Sequence, residues 1–205
     1  PASVTLPPAL TRQILVSPSS DFQTPTMLPT RFFSGDVTIA TVDVNGLITG
    51  VGVGETAITV INGLNEFVLP VSVTAPRVGT VMAGVEGTVA QGSDGSLVML
   101  APGALREAAE VSITPRTEAD QPMGMPSGFQ FLAGFDLNVG DRPLAIPAQL
   151  AIPVPSDIVA GTTVFFLRPG ELPNADGTTT QVWLQLDSGV VDEHGMARTT
   201  SPPST

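Results

Sequence analysis

Cysteine, lysine and tyrosine are absent from this chain of 205 residues, and histidine and tryptophan occur once each. The missing cysteine excludes disulfides, thiolate metal sites and a cysteine nucleophile together. The missing lysine excludes Schiff-base chemistry and lysine isopeptide crosslinks. A lone histidine cannot supply the converging partners that a histidine metal centre requires. Positive charge is scarce as well: eight arginines face nineteen acidic residues, for a formal net charge of −11. Phosphate backbones and anionic membrane surfaces both demand clustered cations, so neither nucleic acid nor membrane insertion is expected. With no tyrosine and one tryptophan, the exposed aromatic platforms that usually carry carbohydrate recognition are lacking too.

Long helical stretches are also missing. No helical periodicity survives beyond about two turns, and residues 103–110, GALREAAE, form the best and still short candidate. No secretory leader or membrane-spanning stretch is recognised. The chain starts at Pro1 without methionine and is read as a mature product or an excerpt of something longer.

What is present is turn chemistry. Twenty-one glycines and twenty prolines lie between runs rich in valine, isoleucine and threonine. Such punctuation favours many short strands over helices. The stretch 39–60, IATVDVNGLITGVGVGETAITV, shows the pattern best. Val42, Val44, Leu47, Ile48, Val51 and Val53 fall in short apolar segments, and Ala57 to Val60 begins a further strand. Asn45-Gly46 supplies the positive φ of a tight turn, so strands should pair back to back around it.

The ordered residues Ala40-Thr41-Val42-Asp43, Asn45-Gly46-Leu47, Thr49-Gly50, Gly54 and Ile58-Thr59-Val60 resemble the signature of bacterial immunoglobulin-like group 2 domains. That resemblance implies an immunoglobulin-like sandwich of the kind used in intimin- and invasin-type surface adhesins. Residues 66–74, EFVLPVSVT, alternate and close this unit, and one strand is expected near Arg31 to Phe33. The family's usual core tryptophan is missing here. Residues 1–20 hold two proline-broken apolar runs, Val4 to Leu6 and Ile14 to Val16. They read as an edge strand of the same sandwich, or alternatively as an arm that pairs with a neighbouring molecule's sheet edge.

After a proline-containing linker the pattern starts again. A strand pair is expected over 81–90 and 96–100, turned at Asp94-Gly95, followed by a strand over 110–115. Gly84, Gly87, Pro102-Gly103-Ala104-Leu105, Ile113-Thr114-Pro115, Phe135-Asp136-Leu137 and Ala151-Ile152-Pro153-Val154-Pro155 resemble the motifs of the ZU-five family of β-sandwiches. Two further strands are expected at 163–167 and 181–186 around a loop over 169–180. In the second of these Val182, Leu184 and Leu186 alternate with Trp183, which should then lie on the outer face or under a loop. The tail, 198–205, reads as the start of a linker or terminus.

Candidate chemistry is thin. His194 lies in Asp192-Glu193-His194-Gly195, which reads as a solvated hairpin turn between Val191 and Ala197. Asp43-Val44-Asn45-Gly46 begins like a calcium loop but lacks the later oxygen ligands and the terminal glutamate. Asp141, Asp176 and the run from Asp187 to Glu193 read as turn formers and solvated rims. A calcium site assembled from two loops is the one cofactor these carboxylates leave open. Gly50, Gly52 and Gly54 imitate a dinucleotide fingerprint, yet a strand follows them where that motif needs a helix. No serine sits in a nucleophile elbow with an acid and a histidine to follow.

The expected fold is therefore all-β, with two tandem β-sandwich domains. Residues 1–76 form the immunoglobulin-like group 2 domain, 77–82 a linker, and 83–205 the ZU-five-like domain with its tail. The expected function is non-enzymatic, with no catalytic, cofactor or metal residues assigned. The leading expectation is an extracellular structural or adhesive module of a bacterial cell surface, spacing or presenting a surface that binds protein partners or copies of itself. The alternative is a self-assembling subunit of an extracellular filament, surface layer or virion decoration, with residues 1–20 as the intermolecular strand. Low charge density and a mean hydropathy of +0.30 motivate that alternative.

Overall fold

A computed structural model describes residues 3–16 and 29–199. Residues 1–2, 17–28 and 200–205 lie outside it, and with them part of the N-terminal stretch and most of the tail. Among the described residues the regular structure is strand throughout, apart from one short 3-10 turn, Glu118–Asp120, so the chain is all-β as expected. No helix there is long and apolar enough to cross a membrane.

The first seven strands are β1 (Val4–Leu6), β2 (Thr11–Gln13), β3 (Arg31–Ser34), β4 (Ala40–Val42), β5 (Leu47–Gly50), β6 (Gly54–Asn62) and β7 (Asn65–Val73). They make a four-stranded sheet in the order β1-β7-β6-β3 and a three-stranded sheet in the order β2-β5-β4. Alternation along β6 and β7 turns Ile58, Val60, Leu69, Val71 and Val73 inward, where they meet Ile48 of β5 and Val4, Leu6 and Ile14 of the N-terminal stretch. Phe33, next to core-facing Phe32 on β3, faces solvent, whereas Phe67 shares the face of Leu69 and Val60 but lies toward the end of β7 and stays half exposed.

Residues 4–6 and 11–13 pair within the chain. β1 runs parallel to β7, with Val4 opposite Val71, and β2 runs antiparallel to β5, with Arg12 opposite Ile48. The N-terminal stretch thus bridges both sheets as an edge segment, and for these residues the intermolecular pairing considered above is not what is observed. Its second strand falls at 11–13 rather than 14–16, and Leu15 stays exposed.

The expected hairpin at Asn45-Gly46 is present. Val42 pairs with Ile48, and Gly46 sits at φ +82°. The Asp43 carboxylate accepts the backbone N–H groups of Asn45 and Leu47, each at 2.8 Å, and closes the turn. A Cβ on Gly46 would stand 2.9 Å from the Phe32 ring and 3.1 Å from the Ile14 carbonyl oxygen. Gly46→Val should therefore combine left-handed strain with a packing clash and destabilise by more than about 1 kcal/mol. Urea unfolding checks this, and a midpoint equal to that of the parent would mean the turn has another backbone.

The remaining strands are β8 (Arg77–Val78), β9 (Val81–Ala83), β10 (Thr88–Gln91), β11 (Leu97–Leu100), β12 (Ala109–Arg116), β13 (Gly134–Asn138), β14 (Gln149–Pro153), β15 (Thr163–Pro173), β16 (Thr179–Val191) and β17 (Met196–Thr199). Seven of them form one sheet, ordered β15-β16-β17-β14-β11-β10-β8, and three form another, β13-β12-β9. Val81, Val98, Leu100, Val111, Ile113 and Ile152 fill the space between the two sheets.

Several expectations are corrected here. Residues 77–82, read as a linker, hold β8, which pairs parallel with β10, and most of β9, which pairs with β12. The run expected as one strand over 81–90 splits into β9 and β10 in different sheets, because the turn at 84–87 lets both apolar segments reach one core. The helical candidate at 103–110 is not helical: Ala104 and Leu105 form a buried corner plug and the chain then enters β12. β15 and β16 are longer than expected, so the loop over 169–180 shrinks to a turn at Asn174 to Thr178.

Candidate functional site

A seven-stranded sheet facing a three-stranded one leaves part of its inner surface without a strand above it. The chain between β12 and β13, residues 117–133, and the turns after β14 cover that part. Leu132, Val154 and Ile158 pack on Val164, Val191 and Ala197. Phe129 meets Phe165 edge to face, with ring centroids 5.7 Å apart. Trp183 reaches under the same segment and donates its indole N–H to the Gly124 carbonyl oxygen at 2.9 Å. Between cover and sheet lies a groove of about 1240 Å³ with walls that include Phe131, Phe135, Phe166, Leu167, Trp183 and Leu186.

Polar groups frame it. At one margin the Arg116 guanidinium holds the Asp136 carboxylate, with Nε 2.7 Å from Oδ2, and this hydrogen bond raises the Arg116 pKa. Asp120 accepts the backbone N–H of Thr117 at 2.8 Å and its hydroxyl at 2.7 Å, and the hydroxyl is the main cause of its lowered pKa. Asp187 is buried at the groove floor, and its Oδ1 accepts the N–H of Ser188 at 2.8 Å. Its burial corrects the expectation of a solvated rim. A bulge opposite Phe166 and Leu167 shifts the register of β16, so Asp187, Gly189 and Val191 turn inward while Leu186 stays half exposed. The alternation of Val182, Leu184 and Leu186 on a core face consequently does not run to the strand's end, whereas Trp183 does lie under a loop.

The remaining sequence candidates are turns. His194 is exposed at the tip of the β16–β17 hairpin, and its backbone N–H is held by Asp192 at 2.8 Å. Asp43 closes the β4–β5 turn, chiefly through the Leu47 N–H, which lowers its pKa. Asp176 closes the β15–β16 turn through the Thr178 hydroxyl at 2.6 Å, with the same consequence. Asp141 is exposed beyond β13. Among the described residues no three histidine, aspartate or glutamate side chains come together to hold a metal ion. At Gly50, head of the apparent dinucleotide motif, a Cβ would stand 2.6 Å from the Pro7 carbonyl oxygen, so close backbone approach accounts for the glycine.

A second concavity lies where the N-terminal stretch meets the seven-stranded sheet. Leu10 is buried against Val89, Leu97, Met99 and Ala151, with Met196 beside them. These side chains are on the face of β10, β11 and β14 opposite the core of Val98, Leu100 and Ile152. Beside Leu10, Arg12 is 8 % exposed and donates to the Oε1 of buried Gln149. Burial pushes its pKa down to about 10. Arg198 donates from Nη1 to the Thr11 carbonyl oxygen at 2.7 Å and from Nε to Asp192 Oδ2 at 2.5 Å. Both arginines line a cleft of about 360 Å³.

Neither concavity was foreseen from the sequence. For the first, the signal was the length of chain between β12 and β13, rich in proline, methionine and phenylalanine. For the second, it was the unbroken apolar run Leu97 to Leu100, because a strand buried on both faces loses its alternation.

No family model matches the chain, and neither a curated protein nor a solved structure is significantly similar to it. The likenesses to the group 2 immunoglobulin-like and ZU-five families therefore rest on the motif residues quoted above.

Proposed function

We propose that this chain is a non-catalytic structural or adhesive module of a bacterial surface protein, extracellular, which spaces or presents a protein-binding surface. In this reading β1 to β7 and β8 to β17 are an immunoglobulin-like and a ZU-five-like sandwich in tandem. The observation that carries it is the buried contact of Leu10 and Arg12 with the outer face of the seven-stranded sheet. A contact of this kind holds the aromatic groove at a fixed orientation to the first seven strands, as a presenting module requires. Apolar, aromatic walls with a polar margin are the usual make-up of a protein-binding surface. The groove's mainly apolar and aromatic walls suit recognition of a partner's side chains.

Size-exclusion chromatography with light scattering, run over a hundredfold range of concentration beside negative-stain microscopy, tests the reading. Monomeric particles throughout are the expected result. Ordered polymers would overturn it in favour of a self-assembling filament or surface-layer subunit.

A further inference from the structure

We propose that the cleft between Arg12 and Arg198 is a binding site for a small, free carboxylate monoanion. Arg12 comes from β2, while Gln149, Ser188, Asp192 and Arg198 come from β14, from β16 and its turn, and from β17, so the site exists only where the N-terminal stretch meets the seven-stranded sheet. Arg12 is more than nine-tenths buried, and its only hydrogen-bond acceptor among the described residues is the neutral amide of Gln149. Among the described residues its Nε–H has no acceptor either. Withdrawing a guanidinium from water without an opposite charge is costly, and a buried donor left unpaired adds to the cost. A bound anion beside such a group supplies both the missing acceptor and the missing charge.

The charges around the cleft define what that ion is. Asp192 is the one carboxylate in its lining, and Arg198 already holds it. Two guanidiniums against one carboxylate leave a single positive charge, which a monoanion neutralises and a dianion overshoots. Arginine's planar fork suits the two oxygens of a carboxylate. Thr163 and Ser188 add hydroxyl donors, whereas Leu47, Met99 and Val190 give apolar wall beside them. A short hydrocarbon carrying one carboxylate satisfies both parts of this lining better than chloride or sulfate. The volume of about 360 Å³ accommodates a molecule of that size.

Isothermal titration calorimetry and thermal unfolding of the full chain with sodium acetate and sodium butyrate, at constant ionic strength against chloride and sulfate, test the site. The expected result is saturable binding of one carboxylate per chain, with a rise in Tm that chloride does not reproduce and butyrate exceeding acetate. Arg12→Gln should weaken it by tenfold or more. Because that variant removes an interface group, Ser188→Ala and Thr163→Val at the rim provide a milder check, each expected to lower affinity about threefold. Equal effects of chloride, preference for sulfate, or carboxylate binding unchanged in all three variants would overturn the proposal.

Discussion

Gly189→Ala should destabilise the protein by about 3 kcal/mol or more, because its Cβ would make a tighter contact than one at any other glycine described. A Cβ at this position would lie 1.7 Å from the Arg198 carbonyl oxygen and 3.2 Å from the Phe166 ring. The first contact is with backbone, so no rotamer change relieves it. β17 must move away, and the pairs Gly189 with Thr199, Val190 with Arg198 and Val191 with Ala197 go with it. Ordinary overpacking costs about 1–3 kcal/mol, and forced separation of two strands lies at or above the top of that range. The damage spreads, because β17 joins β16 to β14 in the seven-stranded sheet and carries Arg198 to Thr11. Gly124→Ala is the matching control: its Cβ would meet nothing within 4 Å, and it should stay within about 0.5 kcal/mol of the parent. Chemical unfolding of both variants decides the matter. Equal midpoints would mean that β16 and β17 do not approach as described.

How far the sequence foretells this molecule depends on how local each cause is. The hairpins at Asn45-Gly46 and Asp94-Gly95 were legible because their chemistry is contained in two residues: Gly46 and Gly95 do take positive φ, at +82° and +92°. Strands expected at 31–33, 66–74 and 110–115 appear as β3, β7 and β12 because alternation with one buried face is also a local pattern. Trouble began where two surfaces compete for one segment. Leu97 to Leu100 is buried throughout, since Val98 and Leu100 face one core while Leu97 and Met99 face Leu10. Residues 77–82 read as a linker for another reason: Arg77 and Val78 stay exposed, and only their backbone pairing with β10 makes them a strand. The inward turn of Asp187 depends on a bulge set by its partner strand, and nothing near Asp187 in sequence announces it. Arg12 is the extreme case, because both Gln149 and the cleft around it come from the other end of the chain.

Deleting residues 1–16 should leave a chain that no longer folds cooperatively. Val4, Leu6, Leu10 and Ile14 are all buried, and at about 1.5–3 kcal/mol each their burial is worth about 6–12 kcal/mol before chain entropy is subtracted. A domain of ordinary net stability, about 5–15 kcal/mol, cannot lose that much and remain folded with a margin. The loss is also structural. β1 is the edge partner of β7 and β2 the partner of β5, so both sheets of the first seven strands lose a strand at once. On the other side, Val89, Leu97 and Met99 lose the cover of Leu10 and face water on a sheet whose inner face is already committed to its own core. Newly bared apolar strand surface of that kind promotes association, so the truncated chain should aggregate on heating and bind a hydrophobic dye at room temperature. Calorimetry of the intact and truncated chains side by side measures this. A truncated monomer melting within a few degrees of the intact protein would show that the N-terminal stretch is a dispensable arm. In that event its pairing with β7 and β5 would carry little of the stability, and the arm would be free to serve a neighbouring molecule's sheet instead.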